Sequence, residues 1–416
     1  MKIRKSGIAA IAGLATAGLL AVATPSQAAD PALLIWVDNG AKPVVQKVIY
    51  DWASDKSVDV TIVGKDFGAV RDLLKTAVPG GTGPDILAAA PHDWTGDLAA
   101  AGVLRPVTLS TAVKAGIQKN AYDAFLYGGQ HYGVPGWTEN IAVLRNPKYI
   151  KAAITSVTKI PAGKLQVGTW GAASSDPYHF YPVQTAFGAN VFASTSAGWS
   201  KTLGMTGSKG AAFANFLATK KATFFGGADT PWNTAICNLI NGKRPLWVTG
   251  PWAIDAVAAG VASSVATPNC KTGISVAKKT LAIDSFWKGT DGKVAKQFMG
   301  VRGFYLTASE ATPLATANSL LSYIAGKEAQ VAFFTKAKKT PANLAALKVA
   351  GSNPVIKGFA AAGATAVPMP NIPAMDSVWD KWGKVEGRIL TGNAVGGNAA
   401  ADWAATMTEI QALVNG

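Results

Sequence analysis

Histidine and cysteine are scarce in this chain of 416 residues, with three of the first and two of the second, and the scarcity removes several chemistries at once. His92, His131 and His179 lie far from Cys237 and Cys270 in sequence and show no ligand spacing, so no metal site is expected. The chain has no G-x-S-x-G elbow, no G-x-x-x-x-G-K-[ST] loop, no G-x-G-x-x-G after a strand and no H-E-x-x-H. Triad catalysis and nucleotide binding thus lack a foothold, and no cofactor is expected. Charge is sparse too: 15% of residues carry one, with 39 Lys and Arg against 24 Asp and Glu. The basic residues come singly or in short groups such as Lys220-Lys221 and Lys338-Lys339, with no dense arm or stripe, so no nucleic-acid partner is expected. The 44 Gly and 22 Pro follow no short period, which excludes collagen-like and low-complexity chains, and 49% hydrophobic residues exclude disorder.

Long apolar runs are also missing, except at the start. Lys2, Arg4 and Lys5 precede an apolar run from Gly7 to Ala23 broken only by Thr16, and Ser26-Gln27-Ala28 follows as a small-x-small cleavage site. This is the pattern of a Sec-type signal peptide over residues 1–28, and the run is too short and too rich in Ala and Gly for a permanent anchor. With no Cys near the site, no lipid anchor is expected, and the mature protein is expected to be exported to a periplasm or the cell envelope. In that oxidising space a bridge is the expected state of Cys237 and Cys270, with two buried free thiols as the alternative.

The apolar run Leu33–Val37 and the alternating run Val58–Val63 read as strands. Between them Val45, Val48, Ile49 and Trp52 share one helical face, which makes a βαβ unit and a parallel sheet. A helix is expected over Arg71–Val78 and a strand from Asp85 to Ala88. Beyond Pro147 the pattern turns more helical, with helices expected over Tyr178–Gly188, Ala211–Thr219, Thr234–Asn241 and Glu328–Thr335, and strands at Arg244–Val248 and Phe304–Leu306. No linker marks a clean boundary, which points to lobes joined by several crossings.

What the chain has in quantity is tryptophan, 13 in all, several beside turns or carboxylates: His92-Asp93-Trp94, Pro231-Trp232-Asn233, Gly250-Pro251-Trp252 and Asp376-Ser377-Val378-Trp379. Flat rings match the apolar C–H face of a pyranose, and carboxylates take its hydroxyl rim as donors. Aromatics interleaved with Asp and Glu therefore suit carbohydrate better than phosphate.

The run Val367-Pro368-Met369-Pro370-Asn371-Ile372-Pro373-Ala374-Met375, followed by Trp379, resembles the M-P-N-I-P-x-M…W segment of bacterial maltose/maltodextrin-binding proteins of ABC sugar importers. Leu34-Ile35-Trp36, Gly83-Pro84-Asp85-Ile86, His92-Asp93, Asp176-Pro177-Tyr178 and Gly250-Pro251-Trp252 follow the same order. The resemblance implies an α/β, bilobal fold with several hinge crossings and a ligand cleft between lobes. It puts residues 29–138 and 302–352 in one lobe and 139–301 and 353–416 in the other. It also implies an oligosaccharide ligand, a membrane ABC permease as partner, a monomer and no enzymatic activity. By position it assigns sugar-binding roles to Asp93, Glu139, Asp176 and Tyr178, and ring positions to Tyr181, Trp232, Trp252 and Trp379, while Lys42 lies one residue off the family's sugar-binding Lys. Ala90 stands where the family has a Trp, and Trp94 offers a replacement ring. Arg302 follows a crossing and either reaches the cleft or pairs with a carboxylate at the surface. Trehalose or another oligosaccharide is the alternative ligand, and a secreted glycoside hydrolase using Asp93 and Glu139 is the competing activity.

Overall fold

The computed structural model describes residues 32–416 apart from 169, 172, 196–197, 228–229, 262–269 and 271, so the expected signal segment lies outside the described residues. The strands Leu33–Asp38 and Val60–Lys65 are parallel and joined by the helix Lys42–Lys56, which buries Val45, Val48, Ile49 and Trp52 as their spacing requires. The strand Ile86–Pro91 lies parallel on the other side of Leu33–Asp38. Leu33, Ile35 and Val37 are wholly inaccessible, and a near-continuous apolar run is what a strand covered on both faces needs.

The same sheet is completed from distant parts of the chain. The strand Phe298–Leu306 runs antiparallel between Ile86–Pro91 and Gly133–Asn140, and Thr340–Pro341 and Val367–Pro368 add short edges. The apolar pattern expects only Phe304–Leu306 here; Gly300, Arg302 and Gly303 hide the first half, which pairing on both sides supplies. A second sheet holds Ala282–Asp284, Ala142–Arg145, Leu246–Thr249 and Leu165–Val167 in that order. The chain thus passes from the first sheet to the second between Asn140 and Ala142, returns between Asp284 and Phe298, and leaves again after Pro368. The division expected between residues 301 and 302 falls inside a strand that belongs whole to the first sheet.

Helices cover the second sheet and carry its core. Met375–Thr391 and Ala399–Asn415 bury Trp382 against Tyr181 and Phe298 and Trp403 against Phe213. The helix expected at Tyr178–Gly188 spans Pro177–Thr185: Asp176 caps it by accepting from His179 N at 3.3 Å, and Gly188 follows with φ +72°. Cys237 and Cys270 are buried as a pair, with Cα atoms 5.1 Å apart, in disulfide geometry.

Candidate functional site

A cavity of about 620 Å³ opens where the two sheets face each other. From the first lobe it takes the turn after Ile86–Pro91, the middle of Phe298–Leu306 and the loop entering the helix Val70–Ala77. From the second it takes the N-terminus of Pro177–Thr185, the turn after Leu246–Thr249 and the start of Met375–Thr391. The first-lobe wall thus lies at the carboxyl end of Ile86–Pro91, where open α/β sheets bind ligands. Ala89, buried in that strand, has φ +56°, and its carbonyl accepts from Arg302 Nη1 at 3.3 Å, so local strain is held at the rim of the cavity.

His92 and Asp93 divide the work at that turn. His92 is fully buried; Val301 N donates to its Nδ1 at 3.1 Å and its Nε2–H donates to Met369 O at 3.1 Å. Burial holds its acid constant down at about 4, so it is a neutral clamp between the first sheet and the Met369 segment. Asp93 lines the cavity. Its Oδ2 accepts from Trp379 Nε1 at 3.1 Å, while Oδ1 is buried with no hydrogen-bond partner among the described residues. Burial raises Asp93 to about 6, against the Trp379 bond and the Arg71 and Arg302 charges.

Arg302 Nε donates to Glu139 Oε1 at 2.9 Å, and Nη1 lies 3.9 Å from Asp38. Burial pushes Glu139 up, but Arg302 and Lys339 outweigh it and hold the carboxyl below its ordinary range. Asp176 accepts from His179 Nδ1 at 2.5 Å; burial pushes Asp176 up and the His179 contacts bring it down. Glu139, Asp176 and, through Arg71, Asp376 are therefore engaged, whereas Asp93 has one oxygen without a partner among the described residues.

Of the residues singled out in the sequence, Asp93, Trp94, Glu139 and Arg302 come together on one side of the cavity. Asp176, Tyr178, Trp252 and Trp379 face them. Three others do not line it. Tyr181 is 1% exposed and stacks on Phe298 at 3.8 Å, behind the wall. Trp232 starts the helix Trp232–Asn241 and packs on the buried Trp247 at 5.3 Å. Lys42 opens the first helix, its stem beside Gly64. The sequence reading missed Phe67 and Arg71, which cover Trp94 at 5.3 Å and 5.6 Å, and Arg71 also bonds Asp376 across the cleft. His179 also lines the cavity, and nothing in the sequence distinguishes it from a surface histidine.

Two α/β lobes joined by repeated crossings around an aromatic, carboxylate-bearing cavity define a bilobal binding protein. The chain belongs to the bacterial extracellular solute-binding proteins, whose family profile matches residues 48–362. It is 26% identical to the maltotriose-binding protein of Pyrococcus abyssi over 352 residues, covering 80% of this chain and 70% of that one. It is likewise 26% identical to the maltooligosaccharide ABC transporter solute-binding lipoprotein of Streptococcus pneumoniae over 409 residues, 89% of each. The Thermus thermophilus maltotriose binding protein, solved with maltotriose, superposes with a TM-score of 0.73 at 24% identity, covering 91% of this chain and 99% of that one.

Proposed function

We propose that this chain is the exported, non-enzymatic substrate-binding component of an ABC carbohydrate importer. It holds a maltose- or maltodextrin-type α-glucoside between its lobes and delivers it to a membrane permease. The observation that carries this reading is the Trp379–Asp93 pair: an indole of one lobe and a carboxylate of the other, bonded at 3.1 Å across the cavity, with the second carboxylate oxygen unpartnered among the described residues. The indole offers a stacking face and the carboxylate an acceptor for sugar hydroxyls. Trp252, 37% exposed, and Tyr178 supply further rings, and a volume near 620 Å³ lies within the ordinary range for small-molecule sites. The names of the two relatives, one for maltotriose and one for maltooligosaccharides with an ABC transporter, point the same way. Export to an oxidising space makes the Cys237–Cys270 bridge the working state, with the leader removed and no lipid attached.

The test is calorimetric and fluorescence titration of the mature chain with maltose, maltotriose, maltotetraose and trehalose, with chromatography of the sugars afterwards. Saturable binding of an α-1,4-glucan with the sugar recovered intact is the expected result. A response to trehalose alone would move the ligand and keep the class. Release of shorter sugars would make Asp93 and Glu139 a hydrolase pair, and a flat response to all four would overturn the ligand.

A further inference from the structure

Behind the cavity wall the helix Met375–Thr391 holds a buried polar network that touches no ligand position. Trp382, wholly buried, stacks on Trp379 with ring centroids 5.2 Å apart and planes within 4°. Its Nε1–H is shared between Glu386 Oε1 at 2.7 Å and Gln184 Oε1 at 3.0 Å. Glu386 is fully inaccessible, and its other oxygen bonds the Ser175 hydroxyl. Ser175 N in turn donates to Gly383 O at 2.9 Å, one helical turn before Glu386. Ser175 immediately precedes the cap Asp176 and the cavity ring Tyr178. A single carboxyl therefore ties the layer beneath Trp379 to the turn that presents Asp176 and Tyr178.

No cation pairs with that carboxyl among the described residues, although charged groups surround it. Asp176, on the turn beside Ser175, repels it and is itself bonded to His179. On the packed helix Ala399–Asn415, Asp402 is taken up by Arg388 and Glu409 by Lys381; Lys384 pairs with Asp380 on its own helix. The uncharged Tyr181 faces Trp382 at 6.0 Å. A carboxylate buried among neutral donors and one negative neighbour is costly, whereas a neutral acid fits the partners: C=O accepts from Trp382 and O–H donates to Ser175 Oγ.

We propose that Glu386 is a positioning residue of the binding site, working as a neutral carboxylic acid that sets Trp382 beneath Trp379 and holds the Ser175–Tyr178 turn, so that its ionisation weakens ligand capture. The idea rests on the cavity being the sugar site. Burial raises Glu386 from 4.5 to about 8, with the Ser175 and Trp382 bonds opposing and the Asp176 charge adding. The network thus holds at neutral pH and fails in mild alkali.

Maltotriose titrations of the wild type and of Glu386→Gln from pH 7 to pH 9 test it. Glutamine keeps one acceptor for Trp382 and one donor for Ser175 and cannot ionise. Wild-type affinity is expected to fall about tenfold over that range, as the competent fraction shrinks, while the variant stays flat. A flat wild type, or a variant that falls in parallel, overturns the proposal. Infrared spectra of the wild type provide a reading independent of the variant's folding. A carboxylic-acid C=O band that titrates away between pH 7 and pH 9 supports the neutral acid, and its absence overturns it. If maltotriose binds at no pH, the ligand reading fails. The infrared band and the pH dependence of Trp emission, compared between wild type and variant, then decide the role of Glu386 alone.

Discussion

Asp93 shows how one position serves two demands. Its neighbour His92 faces inward as a neutral clamp, which leaves the next side chain of the turn to face the cavity. Burial raises Asp93 to about 6, so sugar affinity is expected to fall as pH drops through 6, because protonation removes the charged acceptor. Calorimetry with maltotriose from pH 7 to pH 5 should show a loss of about tenfold, the worth of a hydrogen bond to a charged group. Asp93→Asn should be weaker at every pH and lack that step. The linkage for stability runs the opposite way, because the folded state holds the Asp93 proton more tightly than the unfolded chain. Asp93 thus favours the fold most below its ordinary 3.8, and loses that contribution as pH rises to about 6. This residue was legible because His92-Asp93-Trp94 breaks an apolar run with polar and aromatic side chains together. Tyr181 was not, since it follows Tyr178 by three residues and only packing decides that one ring meets the cavity and the other meets Phe298. Phe67 and Arg71 read as an ordinary helix entry, and nothing local reveals that they cover Trp94.

Elements with strong periodicity were readable in outline. The helix Lys42–Lys56 buries the face its apolar spacing defines, and the two strands beside it pair in parallel. The strand Phe298–Leu306 was half hidden, because Gly300 and Gly303 carry no side chain to mark a face. Gly303 is there for space: a Cβ on it would stand 2.1 Å from the Phe125 ring. The pairing of Cys237 and Cys270 ties the helix Trp232–Asn241 to a segment 33 residues away. Replacing both by Ser is expected to lower stability by roughly 3 to 4 kcal/mol through loop entropy, read as a drop in the urea midpoint. The wild type treated with reductant should approach the variant, and an unchanged midpoint in both would mean that the bridge contributes nothing.

At the scale of the whole molecule the lobes already touch across the cleft through Arg71–Asp376 and Trp379–Asp93, both joining the first lobe to the helix Met375–Thr391. Hinge closure about the crossings is the family's expected response to ligand. Small-angle scattering should give a smaller radius of gyration with maltotriose than without it, and identical curves would show that capture needs no lobe motion. That the lobes are interleaved could be expected from the lack of a linker. The place of each crossing could not, because it depends on which strand of a distant segment finds which edge. The central position of Phe298–Leu306, between Ile86–Pro91 and Gly133–Asn140, bears on how the protein is made. The amino-terminal lobe cannot close its sheet until the ribosome has passed residue 306 of 416, so most of the chain is synthesised before either lobe is complete. A lobe whose sheet closes this late leaves the nascent polypeptide without its native pairing for most of its synthesis.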